Sequence, residues 1–221
     1  AFRAVFGHED AACANFRLSS NGQFAVYSAH ARTNPWGPAI IIREDFLSTE
    51  AQIVSTNAIC AGETLALSAD GRRVFFEGLL NTNASALFQW DALDGSASVI
   101  SGDEYGNITP GSRVGGFTIS ETGHEVAFLS SDTNLSGTVE PGFHLYLRNA
   151  CAATNTLVDL SGNEPAGVDF GVPNMSRDGR VLVFESSSAR LTENDGNVFP
   201  DVFLFDVKTT TIECVSHAAP G

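Results

Sequence analysis

The chain has 221 residues, of which 43% are hydrophobic, enough for a packed core and far from the composition of disordered chains. Its net charge is −14, with eleven Arg and one Lys (Lys208), so its surface repels phosphate backbones and anionic bilayers. No apolar run approaches the roughly eighteen residues of a helical span; nucleic-acid binding and membrane insertion are both set aside.

The chain begins at Ala1 without an initiator Met, which fits either a processed, exported protein or a trimmed one. The first predicted element is a strand over residues 2–7, Phe-Arg-Ala-Val-Phe-Gly. From there the sequence repeats itself. Ser-x-(Asn/Asp/Thr)-Gly occurs at Ser19–Gly22, Ser68–Gly71, Ser120–Gly123 and Ser176–Gly179, with the glycines 49, 52 and 56 residues apart. Alternating apolar residues precede each turn: Phe16 and Leu18, Leu65 and Leu67, Phe117 and Ile119, Pro173 and Met175. An aromatic follows each Gly by five residues: Tyr27, Phe76, Phe128 and Phe184. Alternation on both sides of an Asn-Gly or Asp-Gly pair predicts a hairpin, with Gly taking the positive φ of the tight turn.

A third strand is predicted at 39–42, 86–90, 144–147 and 201–205, capped by Arg43, Asp91, Arg148 and Asp206 in turn. A fourth ends on Ser: 53–55, 99–101, 157–161 and 214–216. No segment sustains a 3.6-residue apolar period, so helix is not expected. Four hairpin-connected strands recurring about every fifty residues describe propeller blades, which stack because a single twisted sheet cannot cover both of its faces. The expected fold is all-β: one β-propeller-type domain of four four-stranded antiparallel blades (approximately 12–55, 58–101, 112–161 and 170–216) plus the extra N-terminal strand.

This pattern resembles TolB-like (WD-repeat-like) β-propeller repeats. The fourth copy carries it most fully, from Met175-Ser176-Arg177-Asp178-Gly179 through Asp201–Asp206 to Val215-Ser216. The resemblance implies a platform for protein binding or a domain of a larger exported protein, extracellular or periplasmic. The spare strand is the anomaly, because the last copy already owns its outer strand. Three arrangements accommodate it: part of a larger ring, a closed four-bladed ring with the strand packed outside, or donation of Phe2, Ala4 and Phe6 to the sheet edge of another copy.

Candidate chemistry is sparse. Cys13, Cys60, Cys151 and Cys214 lack metal-ligand spacing; they are read either as two disulfides of an oxidising compartment or as reduced, buried thiols. Asn194, Asp195, Asn197 and Asp201 form the one oxygen-rich cluster suited to calcium, against the simpler reading of a solvated turn; no other cofactor is expected. Asn83, Asn107 and Asn134 head Asn-x-Ser/Thr triplets in expected loops and are glycan candidates. The five His are scattered and read as surface or lining residues. The longest connection, 102–116, contains Tyr105 and Pro110, and propeller function resides in such loops. The expected function is a non-enzymatic exported scaffold for protein partners, other copies of itself included, in an oligomer or filament. The alternative is a propeller-type hydrolase or lyase acting on a glycan or lactone at a central funnel.

Overall fold

The structure, a computed structural model, describes residues 11–31, 38–59, 65–81, 83–136, 141–161, 164–165, 171–188, 190–192 and 199–216. The expected strand at 2–7, with Phe2, Ala4 and Phe6, lies outside the described residues. The chain divides into two compact units, 1–100 and 101–221. Among the described residues every regular element is a β-strand, and all pairing is antiparallel.

In the first unit β1 (Ala11–Leu18), β2 (Phe24–Ala31), β3 (Ala39–Asp45) and β4 (Ala51–Ala58) pair in sequence order. They are followed by β5 (Leu65–Leu67), β6 (Arg73–Asn81), β7 (Ala84–Asp91) and β8 (Ser96–Val99). A single bridge, Ala58 to Gly78, joins the two groups into one eight-stranded sheet. The second unit holds two four-stranded sheets. One contains β9 (Val114–Ile119), β10 (Glu125–Ser130), β11 (His144–Asn149) and β12 (Thr154–Leu157). A small ribbon follows, β13 (Leu160–Ser161) with β14 (Glu164–Pro165). The other sheet contains β15 (Asn174–Met175), β16 (Val181–Ser186), β17 (Asp201–Asp206) and β18 (Thr211–Cys214).

The repeated turn is built the same way in each copy. Gly22, Gly71, Gly123 and Gly179 take φ between 69° and 74°, and each donates its N–H to the carbonyl of the turn Ser, at 2.9 Å. The Ser19, Ser68 and Ser176 hydroxyls donate to the Asx carboxyl or amide oxygen two residues on, at 2.6–2.7 Å. The same hydroxyls accept the N–H that opens the next strand, at 2.9 Å. In the third copy Thr122 replaces the Asx, and Ser120 donates instead to Glu125, at 2.8 Å. Both capacities of each hydroxyl are used in holding the hairpin.

The third strands end three and two residues later than expected in the first and third copies, and one later in the second and fourth. The register aligns Asp45, Asp91, Asn149 and Asp206, which face Phe24, Arg73, Glu125 and Val181. Each of these Asx side chains caps the following turn by accepting the N–H two residues on, at 2.9–3.0 Å. Arg43 and Arg148 therefore lie inside the sheets, not at strand ends, and both are buried. The fourth residue after each Asx has positive φ: Thr49 (58°), Gly95 (67°), Ala153 (55°) and Thr210 (56°). Only one copy places Gly there. Relieving a β-branched residue of the left-handed conformation makes Thr49→Gly stabilising by about 1 kcal/mol, after the entropic cost of Gly is subtracted; a raised midpoint of thermal unfolding is the expected reading.

A row of apolar side chains crosses every sheet at matching positions. It runs Phe16–Tyr27–Ile42–Ile53, Leu65–Phe76–Phe88–Val99, Phe117–Phe128–Tyr146–Leu157, and Phe184–Phe203–Cys214. Aromatic pairs stack within the last three rows, at 5.5–5.8 Å between centroids. In the first unit Leu65, Phe76 and Trp90 pack on Val26, Ile41 and Val54, the opposite face of the preceding repeat. The second unit repeats this, with Leu182, Phe184, Phe203 and Phe205 on Ala127, Leu129, Leu145 and Leu147. Each buried aliphatic or aromatic side chain contributes about 1.5–3 kcal/mol, so repeat-on-repeat packing supplies the core. Contrary to expectation, Phe16 and Leu18 are not buried; they are 74% and 59% exposed.

The fourth strands also differ in extent. β4 runs to Ala58, beyond Ser55, because Ala58 reaches the bridge to β6. In the third copy pairing stops at Leu157, because the Asp159 carboxylate takes the Leu145 N–H that another ladder bond would have used.

Candidate functional site

The longest connection folds into a self-supporting loop. Asp103 Oδ1 accepts the N–H groups of Tyr105 (2.9 Å) and Asn107 (2.8 Å), and Oδ2 accepts from Asn107 Nδ2 (3.0 Å). Gly106 N–H closes the turn onto the Asp103 carbonyl, at 3.0 Å. These bonds, the Asn107 amide first, hold the Asp103 carboxyl below the usual carboxylate range. The loop holds out Tyr105, which is 79% exposed. Its hydroxyl bonds to Glu104, which pushes the phenol up from its ordinary value.

Behind this loop lies an open cleft of about 430 Å³, walled by Asp103, Glu104 and Tyr105 on one side and Asn134, Thr154 and Asn155 on the other. Its floor is tied together by Gly102, whose carbonyl accepts from Arg148 Nη1 (3.2 Å) and Asn155 Nδ2 (2.9 Å). Arg148 also donates to Asn155 Oδ1 at 3.2 Å, and burial lowers the pKa of its guanidinium. Its Nε, fully buried, meets no acceptor. On the far side of the loop Asp132, 1% exposed, accepts Thr109 N–H (2.8 Å), Thr109 Oγ1 (2.6 Å) and Asn134 N–H (2.9 Å). The cleft is thus polar, rigidly backed and rimmed by an aromatic. It suits hydrogen bonding to a polar chain more than burial of an apolar molecule.

Other sequence candidates fall elsewhere. His144, expected at the surface or lining a channel, is buried, and its Nδ1 lies 2.8 Å from Asp159 Oδ2. Asp159 Oδ1 also accepts Leu145 N–H, so the pair fastens β11 to the segment after β12. Nothing in the periodicity marks Asp159 as a partner, since it falls where a strand residue was expected. Asn194, Asp195 and Asn197 lie outside the described residues, and Asp201 accepts a hydrogen bond from Ser216 Oγ. No cluster of three or more potential metal ligands occurs among the described residues.

Cys60 also lies outside the described residues. No disulfide joins Cys13, Cys151 or Cys214; Cys13 and Cys151 are exposed, against the reading of buried thiols. Asn83, Asn107 and Asn134 are all exposed, but the Asn107 amide is engaged by Asp103 and its triplet's Thr109 by Asp132.

No protein-family model matches the chain, and no curated protein does. Solved structures do. TolB from Acinetobacter baumannii superposes with a TM-score of 0.54 at 14% identity, over 96% of this chain and 45% of that one. The β-propeller domain of the Trilobed protease from Pyrococcus furiosus, described as having an open velcro topology, gives 0.59 at 12% identity, over 96% and 58%. The chain has a TolB-like β-propeller fold. A puromycin-hydrolyzing peptidase of Mycobacterium tuberculosis matches at 0.61 and 13% identity, over 92% of this chain and 28% of that one. The chain thus spans less than two thirds of each of these proteins. At such identities the likeness concerns fold alone, and the loop with Tyr105 is described from this chain's own residues.

Proposed function

We propose that the protein is a non-enzymatic, exported β-propeller scaffold of four blades that binds an extended peptide segment of a partner protein in the Tyr105 cleft. The observation that carries this reading is the fixed presentation of Tyr105 by the Asp103 turn beside amide and hydroxyl groups of Asn134, Thr154 and Asn155. A preorganised aromatic anchor beside hydrogen-bonding walls is how a protein surface concentrates binding energy. Asp103 and Glu104 add negative charge at the rim, so a segment with Lys or Arg is preferred. At the cleft the Tyr105 phenol, paired with Glu104, is held above its ordinary value and so stays protonated, a poor nucleophile, and the buried His144–Asp159 pair is 4% and 0% exposed, closed to a substrate. These features favour binding over the hydrolase or lyase alternative.

Selection of a phage-displayed peptide library against the purified chain, followed by titration calorimetry with the selected peptides, tests the reading. Selected peptides are expected to carry basic residues and to lose about tenfold or more in affinity on Tyr105→Ala, the loss typical of a central aromatic. Peptides that bind Tyr105→Ala as well as the parent, or turnover of chromogenic glycosides or lactones by the parent, would remove this reading.

A further inference from the structure

The last strand of the third repeat, β12, has a hollow on each of its two faces. Its pairing with β11 runs Asn149 to Thr154, Arg148 to Asn155, Leu147 to Thr156 and Tyr146 to Leu157. Side chains alternate along a strand, so Thr154 and Thr156 share one face with Asn149 and Leu147, while Asn155 shares the other with Arg148. The Arg148 face carries the Tyr105 cleft, about 430 Å³, with Asp103 and Glu104 at its rim. The Leu147 face carries a smaller hollow of about 150 Å³, lined by Leu147, Thr156, Phe205 and Val207 among others. Thr154 lines both.

Between the two hollows runs a sheet edge. β12 ends its sheet, and no further strand pairs with it among the described residues. The Val158 N–H donates to the Leu145 carbonyl at 2.8 Å, which sets the phase of the ladder. Ladder bonds alternate in an antiparallel pair, so Thr154 and Thr156 turn their N–H and C=O toward β11, while Asn155 and Leu157 turn theirs outward. Thr154 and Thr156 are themselves exposed. Repeats within a unit cover one another through sheet faces, so an added repeat leaves an outer edge open. What fits an edge is another extended chain.

We propose that an extended segment of a partner protein adds to β12 as a fifth strand, seating a basic side chain in the Tyr105 cleft and the adjacent small apolar one in the hollow beside Leu147. The inference rests on the peptide-binding reading of that cleft and gives it a binding mode and a sequence rule. Main-chain bonds to Asn155 and Leu157 hold the segment, and the two hollows select its side chains. Asp103 and Glu104, in a chain of net charge −14, favour Lys or Arg on their face. On the other face Leu147 and Phe205 are 7% and 3% exposed, so that hollow is apolar within. The Glu125 carboxylate beside it already accepts from Ser120 Oγ at 2.8 Å and lies over Gly179. Neighbours in a strand point to opposite faces, so the basic and apolar residues must be adjacent; two apart, they share a face and only one hollow is filled.

Two capped synthetic peptides of one composition test this by titration calorimetry on the full chain: Gln-Gln-Lys-Val-Gln-Gln, with the pair adjacent, and Gln-Lys-Gln-Val-Gln-Gln, with the pair two apart. The first is expected to bind about tenfold or more tightly than the second, the worth of one seated anchor. Methylating its main-chain nitrogens one at a time should abolish binding at alternate residues only, the signature of a chain bonded along one edge. Thr156→Trp, which fills the smaller hollow from an exposed position, should weaken the first peptide by about tenfold or more and leave the second unchanged. Thermal melts check that this variant folds, and the methyl scan needs only the parent chain. Peptides that depend on Tyr105 yet bind equally in both arrangements, with no alternation in the scan, overturn the added strand and leave the cleft reading standing. A chain that binds neither these peptides nor any library-selected one removes both. Copies that pair with one another through β12, and are released by Thr156→Trp, would give the edge to a second copy and overturn its assignment to a partner protein.

Discussion

Gly71→Ala is expected to destabilise the chain by about 3 kcal/mol or more, while the same change at Gly22 costs about 1 kcal/mol. Both glycines close the same turn with nearly the same φ, 73° and 71°, so the local backbone strain of a Cβ is shared. What differs is the neighbourhood. A Cβ at Gly71 falls within 2.7 Å of Phe24 Cβ and closer still to the ring, whereas at Gly22 it meets open space. Phe24 cannot simply retreat, because the Arg43 guanidinium lies over its ring at 4.0 Å and donates through Nε to the Gly71 carbonyl at 2.6 Å. Arg43 is itself anchored to Gln52 Oε1, at 2.8 Å. The extra methyl therefore displaces a ring, a stacked cation and a buried hydrogen bond together. Urea unfolding of the two variants measures the difference. Phe24→Ala in the Gly71→Ala background should cost much less than in the parent, since the two residues share the contact. Equal losses at Gly22 and Gly71 would show that only the turn conformation matters.

That pair of glycines also marks how far sequence reaches. The four turns were legible because their determinants lie within a few residues: a Gly for positive φ, a Ser hydroxyl that bonds the opening of the next strand and, in three of the four, an Asx oxygen that accepts from that hydroxyl. The row of apolar side chains was legible as alternation for the same reason. Register was not. Arg43 and Arg148 looked like strand ends because a charged residue followed an apolar run, but pairing across the sheet moved the caps to Asp45 and Asn149. Nor could alternation distinguish a covered row from an uncovered one. Phe16 and Leu65 occupy equivalent positions, yet Phe16 is exposed while Leu65 is covered by the first repeat.

The cleft was legible only as a long loop bearing Tyr105. Its floor depends on contacts spanning 46 residues from Gly102 to Arg148 and 53 from Gly102 to Asn155. Its back wall depends on Asp132, which nothing in the turn pattern distinguishes. Of the calcium candidates, Asn194, Asp195 and Asn197 lie outside the described residues, and Asp201 is engaged by Ser216.

Asp132 is the residue on which that loop most depends, and Asp132→Ala is expected to destabilise the second unit by about 3–5 kcal/mol. Its two carboxyl oxygens accept from Thr109 N–H and Oγ1, from Asn134 N–H and, at 3.4 Å, from Ser112 Oγ. Ala removes the acceptor of the half-buried Thr109 N–H and Oγ1 and of the Asn134 N–H, while Ser112 Oγ keeps the Thr109 carbonyl at 2.8 Å, and each group left without a partner costs about 1–3 kcal/mol. Asn is no remedy, because one of its two terminal atoms would point N–H groups at donors. Thr109→Val removes one hydroxyl donor and leaves the carboxyl oxygens with partners, so its own cost should be about 1 kcal/mol. Combined with Asp132→Ala it should add almost nothing, and that non-additivity in urea unfolding is the measurement. The loop is also the mount for Tyr105, so Asp132→Ala should weaken the selected peptides even below its unfolding midpoint. A variant that unfolds with the parent would place the stability of this loop elsewhere, in the Asp103 turn alone.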